Sequence, residues 1–176
     1  MSASYYKAEA DKGNVDAMYK YASMLDEGDG VEVNSNEAAR YYKMAADKGD
    51  ADSMSSYASL VKNGKGVSAN KSEAARYYKM AADKGDVESM VNYGLMVQNG
   101  EGVSANKNEA ARYFKMAADK GNKDGMKYYA AIASSGGGSS SGGGSGGSSG
   151  GGDAISYLKM AADKGQLEAI YNYAVA

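Results

Sequence analysis

The chain has 176 residues, 43% of them hydrophobic, and a formal net charge of −2 from 20 basic and 22 acidic side chains. It contains no cysteine, histidine, tryptophan or proline, which excludes disulfides, thiolate nucleophiles, Cys-type zinc sites and an imidazole base. Near-balanced charge gives no long-range pull on phosphate, so neither nucleic acid nor an anionic membrane is expected as a partner.

The first segment, "YYKAEADKG" from Tyr5, is a degenerate half-copy of strings that return further on. Ala8 and Glu9 stand where Met44 and Ala45 stand in the next copy. That makes the first helix more polar, as a capping unit of an array requires. "AMYKYASMLDEGDGV" follows from Ala17. "EAARYYKMAADKGD" begins at Glu37, returns at Glu73 and appears as "EAARYFKMAADKGN" at Glu109, a step of 36 residues. Between Glu37 and Lys48, apolar residues fall at Ala38, Tyr41, Tyr42, Ala45 and Ala46, the spacing of an amphipathic helix. Asn34, Ser35 and Asn36 offer its N-cap, and Gly49 its stop. Asp52 to Asn63 carries Met54, Tyr57, Ala58, Leu60 and Val61 at helical spacing again, and Gly64 ends it. Val67 is expected to hook back onto the pair. Ser89 opens the next copy, "SMVNYGLMVQNGEGV".

One such hairpin cannot bury its apolar face alone, whereas stacked copies can. The small residues Ala22, Ala58, Gly94 and Ala130 mark places of close helix approach, and Tyr21, Tyr57, Tyr93, Tyr129 and Tyr173 precede them as a ladder of core contacts. The fold class is therefore all-α: a right-handed α-solenoid of about ten helices over residues 1–133 and 153–176.

Residues 134–152 are eleven glycines and eight serines. With no apolar group to offset the entropy of ordering, they read as a flexible linker. Segment 153–176 repeats the helical pattern, as "DAISYLKMAADKG" running into "QLEAIYNYAVA". It can continue the stack in line, return to the first helix as in a circular permutant, or exchange with a second molecule. A coil span of roughly 23 Å favours the in-line placement over a return across four repeats. Ile170, Tyr173, Ala174 and Val175 leave an apolar C-terminal end that could self-associate.

The strings "ADSMSSYASLVKNGKGV" and "NKSEAARYYKMAADKG" together resemble the Sel-one-like repeat family, relatives of the tetratricopeptide repeats. Tyr57-Ala58 and Tyr93-Gly94 hold the family's Leu-Gly place, Gly64 to Val67 and Gly100 to Val103 its Gly-x-Gly-Val, and Ala45-Ala46 and Ala81-Ala82 its paired alanines. Ser68 and Ser104 replace a frequent proline, and the cysteines of secreted relatives are missing. Near-identical copies and the uniform tract suggest a designed or edited sequence.

The resemblance implies an α-solenoid adaptor without catalysis. The first helix of each repeat would line a concave face, where positions spared by the core meet a peptide or protein partner. These are Tyr19, Ser23, Asp26 and Glu27; Ser55, Ser59, Lys62 and Asn63; Val91, Leu95, Gln98 and Asn99; and Lys127, Ala131 and Ser134. Many of them differ between copies, which fits a recognition surface as well as plain exposure.

Other chemistry is poorly supported. The recurring Asp47–Lys48 pair, repeated at Asp83, Asp119 and Asp163, reads as a helix-end feature, with Lys suited to the macrodipole. Asp52 and Glu88 read as caps or dipole partners. Asp26 to Glu37 ends like a calcium loop, but its third and fifth places are Gly28 and Gly30. "NGKGVSANKS" lacks P-loop spacing. No catalytic residue, metal or cofactor is expected. No apolar run reaches membrane-span length and the N-terminus does not read as a signal peptide, which points to the cytoplasm or a recombinant host. The alternative to a binding scaffold is an engineered structural array with no native ligand.

Overall fold

The computed structural model describes residues 1–135 together with Ser156, Lys159 and Met160. The placement expected of 153–176, its two further helices and its apolar end lie outside the described residues, as does most of the glycine–serine tract. Among the described residues eight α-helices run in order: α1 (Ala3–Asp11), α2 (Val15–Glu27), α3 (Ser35–Asp47), α4 (Ala51–Asn63), α5 (Lys71–Asp83), α6 (Val87–Asn99), α7 (Lys107–Asp119) and α8 (Lys123–Ser135). The last continues two residues into the tract that the sequence reading makes linker.

The helix starts follow from short polar side chains that compete well for unpaired N–H groups. Asn34, Asn70 and Asn106 cap α3, α5 and α7 by accepting from the backbone N–H three residues on, each at 3.0 Å. Asp50 and Asp86 do the same for α4 and α6 at 2.8 and 2.9 Å. Asp52 and Glu88 are therefore not the caps; they sit in the first turn, where a carboxylate favours the helix dipole. Gly28, Gly64 and Gly100 close α2, α4 and α6 in the left-handed conformation.

Each helix packs mainly on its neighbours in sequence, so the hairpins form a column rather than a closed bundle. The core runs along it. Tyr41, Tyr77 and Tyr113 are at most 1% exposed, and Met18, Met54, Met90 and Met126 are equally enclosed. Val67 packs against this core as the sequence suggests. Tyr21, Tyr57 and Tyr93 place their rings edge-on to Tyr41, Tyr77 and Tyr113, with centroids 4.7–4.9 Å apart. Gly94 leaves room for Phe114: a Cβ there would lie 2.6 Å from the ring's Cε1.

Polar rungs tie successive repeats. The Tyr41, Tyr77 and Tyr113 hydroxyls donate to Asp11, Asp47 and Asp83, thirty residues earlier, at 2.6, 2.6 and 2.7 Å. Lys7, Lys43 and Lys79 hold the second oxygen of each carboxylate at 2.7–2.9 Å. Arg40, Arg76 and Arg112 lie 4.5–4.7 Å over the same tyrosine rings. The Asp47–Lys48 pair does stand at a helix end, with Asp47 closing α3 and Lys48 as its C-cap, but the sequence reading missed the contact between repeats. The aspartate serves the next repeat, and its cation is Lys43, one turn back.

Ser53 and Ser89 are fully buried, and their hydroxyls have no hydrogen-bond partner. The equivalent places hold Ala17 and Gly125. An unsatisfied buried hydroxyl costs about 1–3 kcal/mol. Ser53→Ala and Ser89→Ala should each raise stability by about 1 kcal/mol, read as a higher urea midpoint; a lower midpoint for both would refute it.

Candidate functional site

Across α2, α4 and α6 lies a cavity of about 300 Å³. Helix α2 supplies Tyr19, Ser23, Asp26 and Glu27 to its wall. Helix α4 supplies Ser55, Ser56, Ser59 and Leu60, and α6 adds Glu88 and Asn92. From behind, Tyr42 of α3 and Tyr78 of α5 complete the lining. They are 5% and 4% exposed, so their rings belong to the core while they still reach the cavity.

Tyr19, Ser23, Asp26, Glu27, Ser55 and Ser59, all expected at a partner surface, thus meet in one recess. Leu95 is half-buried and packs on the core, and Lys62 and Gln98 are half-buried outside this lining. Lys127 reaches the Tyr128 ring at 5.6 Å, and Ala131 is exposed on α8, away from this recess. Val91 departs from the expectation: at 7% exposed it is part of the core. It occupies the register of Tyr19 and Ser55, but a β-branched apolar side chain gains more by turning inward. Tyr42, Tyr78, Ser56, Asn92 and Glu88 are additions. One signal for the tyrosines was present: their third copy is Phe114, fully buried and without a hydroxyl, so the copies differ at this place in the one group that could reach a cavity.

The electrostatics of the recess are one-sided. Burial pushes the Tyr42 phenol up to about 12, against the opposing pull of the Ser23 and Ser56 hydroxyls, with Asp26 adding to the rise. Tyr78 is raised by burial, then by Glu88 and Asp86, with Ser59 opposing. Tyr19 is raised by burial and by Asp52, Asp50 and Glu27. No lysine or arginine is in the lining. Lys65 stands 2.6 Å from Asp26 Oδ1, an ion pair whose approach is too oblique for a well-formed hydrogen bond. Among the described residues no cluster of three metal-binding side chains occurs, and no helix is long and apolar enough to cross a membrane.

Column, caps and periodic tyrosines together define an α-solenoid of stacked helix hairpins. The Sel1 repeat model matches residues 15–50, 51–86, 87–122 and 144–166, and the chain belongs to that family. Its unit pairs α2 with α3, α4 with α5 and α6 with α7. A Sel1 repeat protein from Oxalobacter formigenes is 28% identical with a TM-score of 0.76, over 95% of this chain and 65% of its own. A protective antigen of uropathogenic Escherichia coli displaying an SLR fold is 24% identical with a TM-score of 0.82, over 97% of this chain and 35% of its own. Cysteine-rich protein B of Helicobacter pylori is 21% identical with a TM-score of 0.58, over 72% of this chain and 96% of its own. This chain thus spans less than two thirds of the length of the first two. No curated protein matches it in sequence.

Proposed function

We propose that the chain is a non-catalytic binding scaffold whose recess across α2, α4 and α6 holds a segment of a peptide or protein partner. The observation that carries the proposal is the convergence of side chains from three successive repeats on one polar cavity. Core positions keep Tyr21, Tyr57 and Tyr93 constant. At the recess the same helices present side chains that differ from copy to copy, among them Tyr19, Ser55 and Asn92. Membership of a family of interaction repeats supports the same reading. An array with no ligand is the outcome the test must separate.

A displayed library of extended peptides makes that separation. Enriched peptides should bind the parent chain and lose at least tenfold in affinity when the recess is filled by Ser59→Trp. Asn92→Trp is the second blocking variant, with helicity checked for both. No enrichment, or enriched peptides indifferent to both variants, would remove the recess as the binding site.

A further inference from the structure

We infer that the recess takes a cationic side chain, an arginine or lysine carried on an extended peptide. This rests on the scaffold reading and names the chemistry of its partner.

The charges of the column are sorted by face. On the face of the polar rungs, the phenols of Tyr21, Tyr41 and Tyr77 each feel a lysine or an arginine as well as a carboxylate. Those cations are already engaged by the aspartates and rings described above. In the recess, Tyr19, Tyr42 and Tyr78 feel carboxylates and, at Tyr42, the neighbouring Tyr19 phenol, with no lysine or arginine to oppose them. Asp26 is balanced by Lys65. Glu27 accepts only from the Ser23 hydroxyl, at 3.2 Å, and neither it nor Glu88 has an ion-pair partner among the described residues. A recess walled by low-dielectric rings concentrates such a field and favours a positive occupant.

The other surfaces fit that occupant too. Tyr19 and Tyr42 stand with ring centroids 5.8 Å apart at 55°, offering aromatic surface beside the carboxylates. Rings with carboxylates match a guanidinium, which stacks on the former and forks onto the latter, better than they match a neutral or acidic group. Serine and asparagine supply acceptors for its remaining N–H groups. About 300 Å³ accommodates a side chain or two rather than a folded surface.

The experiment measures binding of labelled oligo-arginine, oligo-lysine and oligo-glutamate peptides by fluorescence anisotropy at several salt concentrations. Oligo-arginine should bind tightest and weaken with salt. Glu27→Gln with Glu88→Gln should weaken it about tenfold, and Asp16→Asn with Glu32→Gln, equal in charge but elsewhere, should not. Equal loss in both double variants would mean non-specific charge attraction and overturn the inference. So would library peptides that are neutral, sensitive to Ser59→Trp and indifferent to Glu27 and Glu88, although the recess would then remain a binding site. Binding by no peptide, basic ones included, would overturn both readings.

Discussion

Gly66→Ala should cost about 3 kcal/mol or more, while Gly30→Ala, at the same place one repeat earlier, should cost about 1 kcal/mol. Both glycines have a positive φ, +73° and +70°, so any side chain pays the same local strain. They differ in what lies beyond. A Cβ on Gly66 would fall on the Ser35 carbonyl and the Asn36 nitrogen, backbone that cannot step aside, whereas one on Gly30 meets only the flexible end of Met24, at 3.6 Å. The loop after α4 sits here on the first turn of α3, where Asn36 Nδ2 donates to the Gly66 carbonyl at 3.0 Å. Gly102 repeats the arrangement against Lys71 and Ser72, whose hydroxyl donates to its carbonyl at 2.8 Å. Thermal melts of the two variants isolate the contact between repeats. Equal losses would mean that the loop does not bear on the preceding unit in solution.

Alkali should unfold the chain steeply above pH 10, ahead of full tyrosine ionisation. Among the described residues nine tyrosines are held above their ordinary value of 10.0. Burial is the first cause at each. At Tyr57 and Tyr93 the hydrogen bond to Glu73 or Glu109 adds to it and carries them highest. A raised value means that the fold prefers the neutral phenol. Its contribution is complete below the unfolded value near 10 and vanishes as pH climbs through the folded one. For Tyr42, the rise to about 12 stands for roughly 2 kcal/mol once solvent screening is allowed for. Tyrosinate absorbance and helical circular dichroism should therefore change together in one cooperative step. Ionisation of all sixteen tyrosines near pH 10 with helicity intact would contradict the packing described. Acid works with the opposite sign. The Lys7 and Tyr41 hydrogen bonds hold Asp11 below 3.8; at Asp47 and Asp83 burial pushes upward, but the lysine and tyrosine hydrogen bonds outweigh it. That contribution is present above pH 3.8 and fades as pH falls through the lowered values.

The helices were legible because both periods, 3.6 residues within a helix and 36 between copies, are written directly in the apolar pattern. Boundaries were less so. Asp50 and Asp52 offer the same carboxylate at one helix start, and only backbone geometry selects Asp50 as the cap. Periodicity also reports that a residue recurs, not whom it meets. Asp47 looked like a companion of Lys48, its neighbour in sequence, yet its partner Tyr77 arrives from the next hairpin. The recess was half legible. Six of its residues follow from helix register, but Tyr42 and Tyr78 serve core and cavity at once, a dual role that a two-way division into inside and outside cannot express. Val91 failed for the converse reason, since register gives a direction and packing decides whether a side chain keeps it.

The tyrosine–aspartate rungs carry a consequence for editing the molecule. Every rung joins a donor on one unit to an acceptor on the unit before it, so the interlock is directional and the same at each seam. Excision of one whole unit, such as 51–86, would bring Tyr113 opposite Asp47, restoring the joint it removed. Length is thus a free variable of this architecture: units can be dropped or inserted in whole multiples, whereas reversing one would leave a phenol facing a phenol and a carboxylate facing a carboxylate.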